Sequence, residues 1–328
     1  MNEGQIFELI GQGKRFIDLT EEANYRTEEP TRDDLVVFPK VRQMSTVKAL
    51  SAKIDLGVMR KFLTKFSSFH TRYYKSTYGK ESSEWLLKHL SVIAENAKPG
   101  VSVTVEPFSN PWVQSSIIVR IVPAYQMMPD EEVTIVSAHQ DSINQRDPRN
   151  GAAPGADDDG SGTVTIIEAL RLIVDSGFIP ASPLEFHFYS AEEAGLLGSQ
   201  LIASAYKSRG VKVKGAFQVD MTGYLKPGTK PVIGISTDNV NPMATQFLRD
   251  LADEYCDIDR VNTKCGYGCS DHVSWTRKGY PSAFVFESTF RDHSPYIHSV
   301  KDDISTVSFE HIAEFTKLVL GWAIELSS

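Results

Sequence analysis

The sequence has few cysteines, no long apolar run and no concentration of positive charge. No run of 18 or more apolar residues occurs, so no segment has the length and hydrophobicity of a membrane-spanning helix. The formal net charge is −8 and is spread along the chain, so the basic surface of a nucleic-acid-binding protein is missing. We therefore expect neither a membrane nor a nucleic acid as a partner. We also expect the chain to be a monomer.

A signal peptide is missing as well. The first residues, MNEGQIFELIGQGKRF, lack the apolar stretch that a leader carries. Because a leader is removed when a protein is exported, this absence does not argue against secretion. The first residues therefore leave the compartment open.

The three cysteines are Cys256, Cys265 and Cys269. Gly-Tyr-Gly separates the last two, and this flexible spacer allows a local disulfide in an oxidising compartment. A metal-binding pair is the alternative, although it would need further Cys or His nearby and only His272 is close. If the disulfide forms, Cys256 is left as a free thiol.

Length and composition are those of a globular protein with a large core. The chain has 328 residues, of which 41% are hydrophobic and 23% are charged. The first forty or so residues are rich in charge and show no sustained periodicity, and the character changes at LVVFPK. We therefore expect an N-terminal extension over residues 1–37 and a single domain over residues 38–328.

Strand-like and helix-like segments alternate through most of this domain. Runs rich in β-branched residues predict strands, among them VSVTVEPF, SSIIVRIV, VTIVSAH, LEFHFYSAEE, GAFQVDM, PVIGIS and SAFVFES. Apolar residues three and four apart predict two or more helices over residues 47–97, and further helices at GTVTIIEALRLIVDSG and NPMATQFLRDLADEY. This alternation is typical of an α/β fold with a mixed, mostly parallel twisted sheet between layers of helices.

Several predicted strands run directly into acidic or histidine side chains. VTIVSA ends at His139 with Asp141 following, EFHFYSA ends at Glu192 and Glu193, and AFQV ends at Asp220. In an open α/β sheet the ligand crevice lies at the carboxyl ends of the strands, so these side chains should converge. The pattern predicts a functional site at that edge of the sheet.

The loop PGADDDGSG places Asp157, Asp158 and Asp159 ahead of a predicted helix. A single acid there would be explained as a helix cap, because acids are favoured at helix N-termini. Three in succession go beyond capping, and gathering Asp158, Glu193 and Asp220 without a counter-charge would force some of them to take up protons. Divalent cations resolve that conflict.

Histidines among the ligands favour zinc. His139 and His298 would join the carboxylates, whereas calcium and magnesium prefer cages of oxygen alone. Two histidines and three or more carboxylates exceed the four ligands of one tetrahedral zinc, which favours two ions bridged by a carboxylate. Asp141, two residues after His139, is suited to accept that histidine's other N–H. Because Glu192 and Glu193 diverge as chain neighbours, one can ligate while the other acts as a general base.

Six motifs follow one another along the chain: HQD at His139, GADDDGSG at Gly155, AEEAGLLGS at Ala191, QVDM at Gln218, CGYGCSDH at Cys265 and IH at Ile297. This ordered set resembles the M28 family of co-catalytic zinc aminopeptidases, especially the secreted leucine aminopeptidases of fungi and bacteria. The resemblance extends from about Ser67 to the C-terminus. It implies the zinc-dependent exopeptidase fold, with residues 38–328 as the M28 catalytic domain. It also implies a secreted, extracellular protein whose leader is not part of this sequence.

The resemblance implies five metal ligands. Asp158 would bridge two zinc ions. Glu193 and His298 would complete one ion, and His139 and Asp220 would complete the other.

The resemblance also implies which residues surround those ligands. Glu192 would be the general base, and Tyr267 would help to stabilise the oxyanion. Asp141 and Asp159 would support the ligands, and the peptide bond between Asp158 and Asp159 would be cis.

In the same family the CGYGC segment is a disulfide-closed loop at the mouth of the site. The pocket for the first side chain of the substrate would be lined by Met221, Cys265, Cys269, Phe284, Phe286, Phe290 and Ile297. Such a lining prefers a large apolar side chain such as leucine.

The expected function is therefore release of N-terminal residues from peptides with a free N-terminus. Residues 1–37 resemble the end of the propeptide of fungal members, which makes a zymogen with a mature start near Phe38 the expected form. A glutaminyl-peptide cyclotransferase of the same fold is one alternative. A non-catalytic zinc-containing binding module is another, and a carboxypeptidase of similar architecture is a third.

Overall fold

A computed structural model describes residues 3–14, 16–19, 37–125 and 132–328. Within these ranges the strands are β1 (Val101–Phe108), β2 (Ser116–Pro123), β3 (Val133–His139), β4 (Leu184–Tyr189), β5 (Val213–Val219), β6 (Val232–Ser236), β7 (Asp259–Thr263) and β8 (Ser282–Phe286). The helices are α1 (Glu3–Gly11), α2 (Met44–Ser51), α3 (Leu56–Phe66), α4 (Thr77–Ala94), α5 (Gly160–Ser176), α6 (Leu197–Ser208), α7 (Pro242–Tyr255), α8 (His272–Arg277) and α9 (Phe309–Ser327).

The described strands form one mixed sheet in the order β1-β2-β4-β3-β5-β8-β6-β7. Its central strands β4, β3, β5 and β8 run parallel to their neighbours within that group. They are almost wholly buried, as expected of parallel strands covered on both faces. Antiparallel pairing joins β2 to β4 on one flank and β6 to β8 on the other. The predicted fold, a single α/β domain with a mixed sheet between helices, is confirmed.

Apolar clusters lie on both faces of the sheet. On one face α5, α9 and the helices beside them bury Phe186, Phe217 and Trp322. On the other face α6 and α8 enclose a smaller cluster that includes Tyr206 and Trp275. Burial on both faces fixes the register of the central strands, because a slip of one residue would turn every side chain to the opposite face.

Two elements differ from the sequence pattern. Residues Glu3–Gly11 form a helix although the pattern shows no sustained periodicity there, because tertiary packing buries Ile6 and Ile10. Residues Asp259–Thr263 form an edge strand whose polar sequence, DRVNT, gives a weak strand signal. Residues 20–36 of the predicted extension lie outside the described residues.

None of the helices within the described ranges combines the length and the hydrophobicity needed to cross a membrane. The disulfide between Cys265 and Cys269 is present, with a Cα–Cα distance of 6.2 Å. Cys256 is unpaired and half-buried, and its Sγ lies 3.5 Å from the carbonyl oxygen of Glu314. The two cysteines that Gly-Tyr-Gly separates are therefore the pair that is joined, and Cys256 lies outside it.

Candidate metal centre

The order of the central strands brings the predicted ligands to one edge of the sheet. β3 lies between β4 and β5, and all three run in the same direction. His139 is the last residue of β3, Asp220 directly follows β5, and Glu193 lies four residues beyond β4. The carboxyl ends of parallel strands meet at one edge, so three distant parts of the sequence converge there.

Two groups of potential ligands share Asp158. His139, Asp158 and Asp220 form one group, and Asp158, Glu193 and His298 form the other. Within each group the ligand atoms lie within 4.8 Å of one another. His139 Nε2 is 3.1 Å from Asp158 Oδ1, and His298 Nε2 is 3.0 Å from Asp158 Oδ2. The two oxygens of one carboxylate therefore face two different groups.

The donor set fits a metal ion. Among the described residues, no hydrogen-bond partner reaches the buried oxygens Glu193 Oε1 and Asp220 Oδ1. Asp220 Oδ1 lies 3.6 Å from His139 Nε2, and Glu193 Oε2 lies 2.9 Å from His298 Nε2. Buried carboxylate oxygens without donors are costly unless a cation satisfies them. Imidazole nitrogen beside carboxylate oxygen is a donor set typical of zinc.

The pKa shifts of these side chains show that the protein's own groups do not balance the negative charge of the site. Burial raises the pKa of Glu193 to about 7, and it raises the pKa of Glu192 well above the usual range. Burial alone would lower the pKa of His139, but the charges of Asp220 and Glu192 raise it well above the usual value. Hydrogen bonds and charge from His139 and His298 outweigh burial at Asp158 and hold its pKa well below the usual range. A bound cation would supply the positive charge that stabilises these buried carboxylates in their ionised form.

Asp159 connects three segments of the site. Its carboxylate accepts hydrogen bonds from the backbone N–H groups of His139, Gly162 and Met221, at 3.0, 2.9 and 3.0 Å. It also caps the N-terminus of α5, and the peptide bond that precedes it is cis. These contacts tie the ends of β3 and β5 to the turn that leads into α5.

Asp141 lies beside His139 but makes closer contacts elsewhere. Its Oδ1 is 3.5 Å from His139 Nδ1, which is longer than a normal hydrogen bond. The carboxylate instead accepts from the backbone N–H groups of Glu192 and Glu193, at 3.0 and 3.2 Å. Asp141 therefore holds the turn that carries both glutamates, a contact that the sequence pattern does not predict.

Two further residues hold candidate ligands in place and are not predicted from the sequence. Ser270 Oγ donates to Asp220 Oδ2 at 2.5 Å, and Asp302 accepts from the backbone N–H groups of Asp157 and Asp158 at 2.9 and 3.0 Å. Ser270 lies inside the CGYGCSDH motif, so a signal for it exists. Asp302 lies four residues after His298 in a polar segment, SVKDDIS, and no sequence signal marks it.

Several residues at the site have a left-handed backbone. Ala191, Met221 and His298 have φ values of 59°, 57° and 56°. His298 is a candidate ligand, and the other two adjoin Glu192 and Asp220. Such conformations are unfavourable for residues other than glycine. Their concentration here is typical of a functional site whose geometry the surrounding structure imposes.

A cavity of about 380 Å³ opens beside the ligand groups. Its lining includes Asp158, Glu192, Glu193, Asp220 and His298. Six of the seven residues predicted for the first-residue pocket also line it: Met221, Cys269, Phe284, Phe286, Phe290 and Ile297. Cys265 lies behind that wall, where it packs in the same apolar cluster as Met221 and Phe284.

The disulfide loop forms one rim of the cavity. Asp238 accepts hydrogen bonds from the N–H groups of Cys265 and Gly266, and Asn239 Nδ2 donates to the carbonyl oxygen of Tyr267 at 3.0 Å. Tyr267 lines the cavity, and its ring centroid lies 6.3 Å from that of Phe290. The loop is thus anchored at several points, and its tyrosine is held beside the ligand groups.

Fold and site together define an α/β protein with a histidine and carboxylate cluster, suited to cations, beside a partly aromatic cavity. Residues 116–323 match Peptidase family M28. The chain belongs to this family and is a peptidase.

Named relatives agree with that assignment. Leucine aminopeptidase 1 of Emericella nidulans is 47% identical over 339 residues, covering 100% of this chain and 85% of the relative. Leucine aminopeptidase 1 of Chaetomium globosum is 44% identical over 338 residues, covering 100% of this chain and 82% of the relative. The LapA aminopeptidase of Legionella pneumophila has a similar solved structure, with a TM-score of 0.81 and 30% identity, covering 94% of this chain and 79% of LapA.

Proposed function

We propose that this chain is an aminopeptidase that uses two zinc ions to release large apolar residues from the N-termini of peptides. The observation that carries the proposal is the shared carboxylate of Asp158, whose two oxygens face two ligand groups. Relatives named leucine aminopeptidase support the aminopeptidase assignment. The disulfide supports export to an oxidising compartment.

His139, Asp158, Asp220, Glu193 and His298 would hold the two ions. When bound, zinc supplies Lewis acidity toward a peptide carbonyl and makes nearby water more acidic. The carboxylates that remain exposed to the cavity favour a positively charged α-amine, which accounts for action on a free N-terminus.

Glu192 would move the proton. Its Oε2 lies 4.0 Å from His139 Nε2, so it borders the ligand groups and lines the cavity as well. Burial raises the pKa of its carboxyl group well above the usual value, which improves it as a base near neutral pH. Glu192 takes a proton from the attacking water and delivers it to the leaving amine.

Tyr267 and the apolar side chains that line the cavity would bind the substrate. The hydroxyl group of Tyr267 donates to the oxyanion as it develops, which stabilises the transition state. Phe284, Phe286 and Met221 are buried side chains that line the cavity, and they suit a leucine-like first residue.

The function is tested by measuring zinc content and hydrolysis of Leu-p-nitroanilide. We expect about two zinc ions per chain and activity that a chelator abolishes and zinc restores. N-acetyl-Leu-p-nitroanilide, which lacks the free amine, is the matched substrate and should not be cleaved. Conversion of an N-terminal glutamine to a cyclic product without leucine release would instead identify a cyclotransferase, and bound zinc without turnover would identify a binding module.

The N-terminal segment, described over residues 3–14 and 16–19, is proposed to restrain this activity. Ile10, Gly13, Lys14 and Phe16 line the same cavity as the candidate ligands. A substrate would have to enter the space that these residues border. The segment therefore acts as a propeptide that keeps the chain in a zymogen form.

Contacts on both sides of the cavity hold this segment in place. Gln145 Nε2 donates to the carbonyl oxygen of Ile10 at 2.8 Å, and the N–H of Asp18 donates to the carbonyl oxygen of Gly195 at 3.2 Å. Ile6 and Ile10 pack in one buried cluster with Tyr73, Tyr74 and Ile143.

A boundary near residue 38 fits the packing. The side chain of Val37 is 85% exposed, whereas the Phe38 ring stacks on Phe247 with centroids 5.3 Å apart. Phe38 also contacts Trp322, so it belongs to the core of the domain. A cut before Phe38 would release the N-terminal segment and leave this packing intact.

Replacing Ile10 by aspartate in the full chain is expected to raise kcat/KM by about tenfold or more. Loss of a buried isoleucine removes about 2 kcal/mol of packing, enough to shift the segment toward its open form by more than a factor of ten. The matched control is Gln12→Asp, which places the same charge at an exposed position of the same segment. An Ile10→Asp variant with the wild-type rate and normal thermal unfolding would contradict the restraint.

A further inference from the structure

Arg72 lies behind the candidate metal centre and is fully buried. Its guanidinium group donates to three backbone carbonyls. Nε donates to Gln140 O at 2.7 Å, Nη2 donates to Gly155 O at 2.8 Å, and Nη1 donates to Pro154 O. One planar side chain therefore joins two distant segments of the chain.

Each of these segments carries candidate ligands. Gln140 directly follows His139 at the end of β3, and Pro154 and Gly155 begin the turn that leads to Asp158. Because the guanidinium donates to both segments at once, its position sets the distance between the His139 side and the Asp158 side of the site.

Gly155 shows how closely this contact is fitted. Its φ is +52°, and a Cβ atom there would lie 2.7 Å from Arg72 Nη2 and 2.5 Å from Asp158 O. A side chain at this position would push the guanidinium away from the turn. Only glycine allows both the backbone conformation and the close approach.

Arg72 is itself held rigidly. Its guanidinium carbon lies 4.2 Å from the ring centroid of Phe66, and its backbone N–H donates to Ser142 Oγ at 3.0 Å. Its carbonyl oxygen accepts from Gln114 Nε2 at 3.0 Å. The Phe66 ring covers one face of the guanidinium group, and both backbone groups are hydrogen-bonded. These contacts leave the side chain little freedom.

The positive charge of Arg72 lies close to several acidic side chains of the site. Burial lowers its pKa to about 10, while the nearby acids Asp302, Asp141, Asp159 and Asp158 oppose that change, so the group remains protonated at neutral pH. A fixed positive charge at the back of an acidic site lowers the repulsion among carboxylates without occupying a ligand position.

We propose that Arg72 is a positioning residue that sets the separation of the His139 and Asp158 segments and thereby the affinity of the centre for zinc. This inference rests on the proposed two-zinc function. Lysine carries the same charge but lacks the planar fork that reaches three carbonyls, so the two residues should not be interchangeable here.

The test compares Arg72→Lys with Arg120→Lys. Arg120 pairs through Nη1 with the buried Glu185 at a separate cavity, so its replacement makes the same chemical change away from the metal centre. Zinc affinity is measured by competition with a chromophoric chelator, and kcat is measured at saturating zinc. Arg72→Lys should bind zinc about 10–100-fold more weakly, the range typical when a partner of a ligand is lost. Arg120→Lys should keep the wild-type affinity.

The thermal unfolding midpoint, measured with zinc and with chelator, separates positioning from general stability. We expect the increase in midpoint on adding zinc to be smaller for Arg72→Lys than for the wild type and for Arg120→Lys. Equal zinc affinity in Arg72→Lys and the wild type would overturn the inference, as would an equal loss in both lysine variants.

A second variant covers the case in which Arg72→Lys does not fold. Phe66→Leu keeps the arginine and removes the ring beneath it, and it should weaken zinc binding by about threefold. Wild-type affinity in Phe66→Leu would then overturn the inference. Absence of zinc binding by the wild type would instead contradict the proposed function, so the two failures are distinguishable.

Discussion

Replacing Glu192 by glutamine is expected to lower kcat by about 10²–10⁴-fold, the contribution typical of a general acid–base group. Glutamine keeps the shape of the side chain but cannot accept the proton from water. Because Glu192 is not assigned as a ligand, the variant should retain the zinc content of the wild type. Turnover of Leu-p-nitroanilide and zinc content are measured on the same preparation.

Glu193→Gln provides the contrast, since it changes the adjacent residue by the same chemistry. Glu193 Oε2 contacts His298 and belongs to a ligand group, so this variant should lose zinc. The exposed Glu95→Gln serves as the neutral control. If Glu192→Gln retained more than about one hundredth of the wild-type kcat, Glu192 would not be the general base.

Replacing Asp158 by asparagine is expected to remove most of the zinc from both positions. The shared carboxylate is the ligand common to the two groups, and its amide replacement carries no charge. Removing one partner from a buried ionic cluster costs about 3–5 kcal/mol, which corresponds to about two to four orders of magnitude in affinity for each ion. Activity at fixed zinc should fall by at least a comparable factor.

Asp157→Asn is the matched control for this variant. Asp157 precedes Asp158 and is equally buried, but its Oδ1 accepts hydrogen bonds from the N–H groups of Gly223 and Tyr224. Asparagine keeps that acceptor, so the control should keep its zinc. Loss of one zinc from Asp158→Asn with full retention of the other would show that Asp158 does not bridge two ions.

The strands and the chemical character of the site could be predicted from the sequence. β-branched runs ending in His139, Glu193 and Asp220 indicate strands that deliver ligands to one edge of a sheet, because strand pattern and ligand type are both local. The weak edge strand β7 and the helix α1 could not be predicted, since pairing and packing with distant residues stabilise them.

The contacts that support the candidate ligands divide in the same way into those that the sequence predicts and those that it does not. Asp159 precedes a predicted helix, so a role at its N-terminus is visible in the sequence. Nothing near Asp302 or Arg72 in the sequence signals a site, because both act on backbone groups more than 65 residues away along the chain. Such contacts exist only after the chain has folded.

The sequence by itself therefore determined the α/β class, the histidine and carboxylate donor set and the position of the disulfide, which depend on residue type and short spacing. Only the tertiary structure decided that Asp158 faces both ligand groups, that Arg72 and Asp302 hold its turn, and that the N-terminal segment borders the cavity. These contacts join residues that are far apart in the sequence. Their geometry follows from the packing of helices and strands, which places distant residues at hydrogen-bonding distance.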